Sequence, residues 1–221
     1  MNILILSDLH ANYEALKPIR SVASEVDLVL CLGDFIGYYC QVNEVIDFAR
    51  ELNVLGVRGN HDEYLLSGCP PEVPEAVRFG IDYADGVIDP EHRRWLAALP
   101  LIWGGMLGER SLLLSHGSPF RPLTDYLYPN KIGDIPLGIF DFDALAFGQT
   151  HRPLLDASRR PLLLNPGSTG QSRLTPGSAC VARLVTETMS VELSQYSYDT
   201  QKVIEIAQKH GAGSWITKFL V

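Results

Sequence analysis

The sequence lacks several features that would assign it to a specialised class of protein. None of its apolar runs approaches the ~20 residues of a transmembrane helix, so we expect no membrane association. Its four cysteines form no CxxC pair, which is typical of reduced thiols in a cytoplasmic protein. The first predicted strand begins at residue 2 or 3, which leaves no room for a signal peptide. There is no linker, internal repeat or low-complexity segment, and we therefore expect one domain spanning residues 1–221.

Positive charge is also scarce, because 18 lysines and arginines stand against 26 aspartates and glutamates, for a net charge of −8. Non-specific nucleic acid binding requires a basic surface that displaces counterions, and this composition argues against it. An anionic substrate would therefore need a local positive centre, such as metal ions or a few arginines. Hydrophobic residues make up 46% of the 221-residue chain, which is enough for a large core. The oligomeric state is not predicted by any of these features.

The stretch 3–10, Ile-Leu-Ile-Leu-Ser-Asp-Leu-His, combines a buried strand with two metal-binding side chains. Its four apolar residues predict a strand covered on both faces, as in a parallel sheet. Asp8 and His10 follow, and in an extended chain residues i and i+2 point to the same side. We expect both at the sheet edge where α/β proteins bind ligands, and together they suit a divalent metal. The alternative is a turn in which Asp8 caps the next helix and His10 lies on the surface.

The first third of the chain alternates between predicted strands and helices, which predicts a parallel sheet with right-handed crossovers. Within the first helix, Pro18 should cause a kink or an early end. The second half consists mainly of predicted hairpins, which suggests a second sheet of mixed direction packed on the first. Between them, residues 117–140 form a long loop rich in proline, and such loops are often functional.

Residue types that bind metals follow five predicted strands: Asp8 and His10, Asp34, Asn60 and His61, His116, and Gln149 and His151. Each cluster alone is commonly a turn or a helix cap. Their repetition after apolar strands, each expected to lead into a loop, indicates a two-metal site at one sheet edge. The other two histidines have structural or surface interpretations, His92 on an exposed helix and His210 near a helix C-terminus.

These residues stand in motifs that resemble, in the same order, those of the calcineurin-like metallophosphoesterases: SDLHAN, GDFIGY, GNHD, SHG and GQTH. The likeness covers residues 3 to about 172 and is greatest for the small bacterial and archaeal phosphodiesterase-like branch, in which HGSP and NPGS also recur. The resemblance implies an α/β fold, a four-layer α/β/β/α sandwich with two mixed β-sheets flanked by helices. That architecture agrees with the alternation described above.

The resemblance also implies two divalent metal ions, which could be manganese, iron, nickel or zinc. The ligands of the first ion would be Asp8, His10 and His151, those of the second Asn60 and His116, and the bridge between them Asp34. Gln149 stands where the family has a histidine, so we expect the second ion to bind weakly. His61 would meet the substrate phosphate and protonate the leaving group, and Asp62 would orient His61.

Four arginines flank the motifs and either hold a second phosphate or nucleotide or are ordinary surface charges: Arg58, Arg121, Arg152 and Arg173. The expected function is hydrolysis of phosphodiester or pyrophosphate bonds in a small, nucleotide-like substrate by a metal-activated water. The alternatives are a catalytically weak or inactive scaffold of the same fold and a protein phosphatase. The nearly complete ligand set favours an enzyme.

Overall fold

The computed structural model describes all residues, 1–221, and contains ten strands in two five-stranded sheets. The strands are β1 (Asn2–Leu6), β2 (Leu28–Cys31), β3 (Leu55–Gly56), β4 (Ile102–Leu107), β5 (Arg110–Ser115), β6 (Ala144–Phe147), β7 (Pro153–Asp156), β8 (Leu162–Pro166), β9 (Ser178–Val185) and β10 (Ser190–Ser197). The helices are α1 (Tyr13–Leu16), α2 (Ile19–Ala23), α3 (Val42–Glu51), α4 (Asn60–Ser67), α5 (Glu75–Val87), α6 (Pro90–Ala98) and α7 (Thr200–Lys209). Three 3₁₀ helices span Ile132–Asp134, Leu137–Ile139 and Ser214–Phe219.

Strand β1 lies at the centre of the first sheet, whose strand order is β10-β9-β1-β2-β3. Its side chains alternate between two hydrophobic cores, as the two-residue period of a strand requires. Ile3 and Ile5 pack towards the second sheet, whereas Leu4 and Leu6 pack in the core that includes the helices. All four are fully buried, which confirms the predicted strand covered on both faces.

The second sheet has the order β4-β5-β6-β8-β7 and mixes parallel and antiparallel pairs. Two mixed sheets flanked by helices confirm the predicted α/β fold. The last hairpin, β9–β10, does not join the second sheet as predicted but extends the first, with β9 antiparallel to β1. An alternating apolar pattern establishes that a strand has a buried face, but it does not specify the neighbouring strand.

The outer face of the second sheet is covered by the segment 117–140 and its two 3₁₀ helices. Leu127, Ile132 and Leu137 from this segment pack against Leu145 and Phe147 of β6 in a separate core. The proline-rich stretch is therefore part of the folded core as well as a connection. No helix in the structure is both long enough and apolar enough to cross a membrane.

The first predicted helix is divided at Pro18, as expected, into α1 and α2. His92 lies on α6 but is buried, which corrects the predicted exposure. Its Nδ1 is 2.9 Å from Oδ1 of Asn43, and its Nε2 is 2.9 Å from Oδ1 of Asp47. His210 is exposed at the end of α7, where its ring lies against Tyr83.

Candidate metal centre

The structure brings together all seven residues predicted to bind metals: Asp8, His10, Asp34, Asn60, His116, Gln149 and His151. They follow β1, β2 and β3 of the first sheet and β5 and β6 of the second, so the prediction of a site at one sheet edge is wrong. Within each sheet the parallel neighbours end at the same edge, and the packing of the two sheets brings both edges together. Each of the seven is almost completely buried. The expectation that every cluster leads into a loop is wrong for Asn60 and His61, which begin helix α4.

The backbone adopts a left-handed conformation at five of these positions: Asp8, His10, Asp34, Gln149 and His151, with φ between 50° and 66°. The prediction that Asp8 and His10 point the same way because the chain is extended is therefore wrong, although the two side chains do meet. Left-handed φ values in residues other than glycine cost on the order of 1–3 kcal/mol each and cluster at functional sites. The left-handed backbone at these positions is therefore part of what orients the side chains of this centre.

Asp62 supports the loop that carries Asp34. Its carboxylate accepts hydrogen bonds from the backbone N–H groups of Asp34, Phe35 and Gly59, each at 2.9 Å, and of Ile36 at 3.2 Å. The predicted role of Asp62 in orienting the imidazole of His61 is wrong, because the Nδ1 of that ring has no hydrogen-bond partner and no Asp62 oxygen pairs with its Nε2. A carboxylate with two oxygens can satisfy several backbone donors at once, and here it fixes the Asp34 loop instead.

Close packing between the two loops requires glycine at position 59. A Cβ atom on Gly59 would lie 2.1 Å from Oδ1 of Asp34 and 2.4 Å from its backbone nitrogen. The same Oδ1 accepts a hydrogen bond from the backbone N–H of His61 at 2.8 Å. The glycine of the GNHD motif therefore allows α4 to begin directly against the Asp34 carboxylate.

Three histidines are held in the same tautomer by the backbone. Nδ1 of His10 lies 3.2 Å from the carbonyl oxygen of Ile36. Nδ1 of His116 lies 2.7 Å from that of Leu32, and Nδ1 of His151 lies 2.8 Å from that of Gln171. Because a carbonyl can only accept, each ring donates its Nδ1–H and directs its Nε2 towards the centre. This arrangement is the usual way in which proteins orient metal-ligating histidines.

The Nε2 atoms converge on two carboxylates. The Nε2 of His151 lies 3.3 Å from Oδ1 of Asp8, and the Nε2 of His116 lies 3.3 Å from Oδ2 of Asp34. Side chains that could hold a metal ion form three compact groups: Asp8, His10 and His151; His10, Asp34 and His61; and Asp8, Asp34 and His116. Oδ1 of Asp8 is buried without any hydrogen-bond partner. An orphaned carboxylate oxygen surrounded by imidazole nitrogens fits a divalent cation.

Burial and mutual charge strongly perturb the titration of these groups. Burial raises the pKa of the Asp8 carboxyl to about 7 and lowers the pKa of His151 to about 3. Burial also lowers the pKa of His10 well below its usual range. Burial opposes the charged form of His116, but the Asp34 and Asp8 carboxylates raise its pKa to about 9. Such a concentration of perturbed groups in one cavity is typical of a functional site.

A cavity of about 260 Å³ opens onto the centre. His61 lines it, and Nε2 of its ring is 3.9 Å from Oδ2 of Asp34. Four tyrosines that the motifs did not single out complete the walls: Tyr38, Tyr64, Tyr126 and Tyr128. The sequence contained a signal for the first two, because Tyr38 is the last residue of the GDFIGY motif and Tyr64 follows shortly after GNHD. Tyr126 and Tyr128 come from the segment 117–140.

Gln149 is placed as a hydrogen-bond donor. Its Nε2 donates to the carbonyl oxygen of Leu123 at 3.0 Å and lies 3.5 Å from Oδ1 of Asn60. Exchanging the amide atoms would set two oxygens against each other at Leu123, so this assignment is the consistent one. The amide oxygen, the only atom that could ligate a metal, has no hydrogen-bond partner.

The four predicted arginines do not share one location. Arg173 lines the cavity and donates from Nη2 to the hydroxyl of Tyr38 at 3.3 Å. Arg152 lines a neighbouring open groove. Arg58 lies outside the cavity walls, where its Nε is 3.0 Å from Oε2 of Glu63, and the exposed Arg121 is also absent from them. Within the set, only Arg173 is placed to meet a ligand at the metal centre.

The sequence of this chain matches a known protein family. Residues 1–189 match the family model of the calcineurin-like phosphoesterase superfamily domain, and the chain belongs to that superfamily. Its members are generally hydrolases and bind divalent metals, so the His and Asp groups described above are candidate ligands of such ions.

Individual relatives resemble the chain over nearly its full length. It is 29% identical to an uncharacterized protein of Methanocaldococcus jannaschii, over 97% of this chain and 95% of that protein. A metallophosphoesterase from Sphaerobacter thermophilus superposes with a TM-score of 0.85 at 28% identity, covering 100% of this chain and 98% of the other. A hypothetical protein from Pyrococcus horikoshii shares the fold, with a TM-score of 0.89 at 20% identity, over 99% and 97% of the two chains.

Proposed function

We propose that this protein is a metal-dependent hydrolase of phosphodiester or pyrophosphate bonds in small, nucleotide-like molecules. The observation that carries the proposal is the convergence of three imidazole Nε2 atoms, each with its Nδ1–H already used, on two buried carboxylates. The residues that would hold the first ion are Asp8, His10, Asp34 and His151, and those that would hold the second are Asp34, Asn60 and His116.

Divalent cations bound here would supply charge stabilisation at the phosphoryl oxygens and activate water as the nucleophile. His61 lines the cavity beside Asp34, and its imidazole donates the proton that a leaving alkoxide needs. Arg173 supplies a fixed positive charge on the cavity wall, where it contacts a phosphate oxygen of the substrate. These roles explain how a protein with a net charge of −8 binds an anionic substrate.

A small substrate is favoured by the shape of the cavity. Its volume is about 260 Å³, and tyrosines from three separate segments surround it. Tyr126 and Tyr128 extend the wall from the segment 117–140 and stack on each other with an interplanar angle of 12°. Aromatic walls suit the organic groups of a phosphodiester, and we expect diesters to be preferred over monoesters.

Gln149 is proposed to weaken the second metal site. Its amide nitrogen, a donor that cannot ligate a cation, lies 3.5 Å from Oδ1 of Asn60. The second ion would then depend on Asp34, Asn60, His116 and water. We expect the first site to fill tightly and the second only at high metal concentration. Protein purified without added metal should carry about one ion or fewer.

The test is hydrolysis of bis(p-nitrophenyl) phosphate and of p-nitrophenyl phosphate by purified protein with added manganese, before and after treatment with a chelator. The diester should be cleaved faster, and chelation should abolish its cleavage. Asp34→Asn should abolish turnover and leave the circular dichroism spectrum unchanged, because Asp34 is the proposed bridging ligand. Faster cleavage of the monoester would overturn the diester preference.

No hydrolysis with manganese, iron, nickel or zinc would favour the scaffold alternative. Wild-type activity in Asp34→Asn would overturn the two-metal proposal. The matched control is Asp141→Asn, because the Asp141 side chain is 97% exposed and lies outside the cavity walls, and it should leave both activities unchanged.

A further inference from the structure

A second cavity, of about 290 Å³, adjoins the metal cavity. Tyr38, Pro74 and Arg173 line both. The far wall of the second cavity is formed by the 3₁₀ helix Ser214–Phe219, which lies beyond the residues 1–189 that match the family model. None of the proposed metal ligands lines it. The second cavity is therefore a separate compartment that opens beside the proposed site of hydrolysis.

The walls of this second cavity combine aromatic rings with buried polar atoms that have no partner. Tyr39, Trp215 and Phe219 supply the rings. The side-chain amide of Gln171 donates from Nε2 to the Tyr39 hydroxyl at 3.3 Å, which leaves its Oε1 as a free acceptor. Nε1 of Trp215 is likewise buried without an acceptor. Buried polar atoms without partners are costly, so Oε1 of Gln171 favours a ligand that presents a hydrogen-bond donor.

Arg173 lies at the junction of the two cavities. Its guanidinium carbon is 4.1 Å from the centre of the Phe219 ring, and its Nη2 donates to Tyr38. Its Nε has no hydrogen-bond partner. A half-buried guanidinium with unused donors is suited to a phosphate group.

We propose that the second cavity binds the heteroaromatic base of a nucleotide ester whose phosphate lies in the metal cavity. The base stacks on the ring of Trp215, its polar edge meets Oε1 of Gln171, and Arg173 contacts the phosphate between them. A nucleotide has a planar ring, a polar edge on that ring and an anionic phosphate at one end. In the same order, the two cavities offer an aromatic wall, the amide of Gln171 and the guanidinium of Arg173 beside the metal centre. This inference rests on the proposed function and specifies its substrate class.

The test compares two esters with the same leaving group, thymidine 5′-(p-nitrophenyl phosphate) and methyl p-nitrophenyl phosphate, with manganese-loaded protein. Because both release p-nitrophenol, the ratio of their kcat/KM values isolates the contribution of the nucleoside. We expect wild type to prefer the thymidine ester and Trp215→Ala to lower the ratio by about 5- to 150-fold, the range for loss of one stacked base. Trp103→Ala removes a half-buried tryptophan outside both cavities and should keep the wild-type ratio.

The outcomes separate this inference from the proposed function. If both esters are cleaved but Trp215→Ala slows them equally, the base site is wrong and the hydrolase proposal stands. If neither ester is cleaved, the hydrolase proposal fails, and the cavity is then tested by calorimetric titration with thymidine 5′-monophosphate. Binding that Trp215→Ala weakens would support the base site, whereas equal binding or no binding by wild type would overturn it.

Discussion

The Nε2 atoms of His10 and His151 lie 3.0 Å apart, although each ring donates its Nδ1–H to a backbone carbonyl. Two imidazole lone pairs therefore face each other inside the protein. A proton between them is disfavoured, because burial lowers the pKa of both rings. A divalent cation would accept both lone pairs and also engage the orphaned Oδ1 of Asp8. This pair of histidines is the strongest local reason to expect a metal in the first site.

Metal should stabilise the fold through this pair. An ion that binds only the folded protein adds about 2.7 kcal/mol when its concentration is 100 times the dissociation constant. Chelated wild-type protein should therefore gain several degrees in Tm when manganese is added, as measured by thermal unfolding. In His151→Ala the gain should largely disappear, whereas it should persist in His92→Gln, which alters a buried histidine outside the centre. An equal gain in both variants would contradict the assignment.

His61→Ala should lower turnover of a diester with an alkyl leaving group by roughly 10²- to 10⁴-fold, the range for a lost general acid. Metal content should be unchanged, since the proposed ligand sets do not include His61. The loss should be much smaller for p-nitrophenyl esters, whose leaving group needs no proton. Equal losses for alkyl and p-nitrophenyl leaving groups would argue against the role as an acid.

Gln149→His should strengthen the second metal site. An imidazole nitrogen is a strong ligand for manganese, iron, nickel and zinc, whereas the present amide nitrogen is a donor that faces Asn60 and Leu123. Losses of supporting interactions alone cost about 10–100-fold in metal affinity, and replacing a ligand should have at least that effect. Calorimetric titration should show one tight and one weak site in wild type and two tight sites in the variant. Two tight, equal sites in wild type would contradict the prediction.

Asp62→Asn should destabilise the protein without removing a ligand. Its carboxylate accepts four backbone N–H groups, and an amide would direct its own N–H₂ at some of them. Leaving buried donors unsatisfied costs about 1–3 kcal/mol, and the free energy of unfolding measured in urea should fall by about that amount. Asp141→Asn, at a fully solvated position, is the matched control and should change stability by less than about 0.5 kcal/mol. A loss of activity at unchanged stability would indicate instead that Asp62 acts directly on the reaction.

The sequence by itself determined which residues gather at the centre. Apolar runs such as 3–6 and 28–31 predict buried strands, and neighbouring parallel strands place their carboxyl ends at one edge, so Asp8 and Asp34 were expected to meet. The division of the first helix at Pro18 was equally predictable, because proline cannot donate within a helix. These conclusions depend only on local periodicity and on general rules of sheet topology.

The tertiary structure alone decided how those residues are held and what surrounds them. The left-handed backbone at Asp8 and Asp34, and the contact of Asp62 with the Asp34 loop, arise from packing between segments far apart in sequence. The same is true of Arg173, the one predicted arginine at the cavity, and of the wall that Trp215 contributes from the C-terminal end. Local patterns specify which face of an element is buried, but the partner that covers it is chosen by the packing of the whole chain.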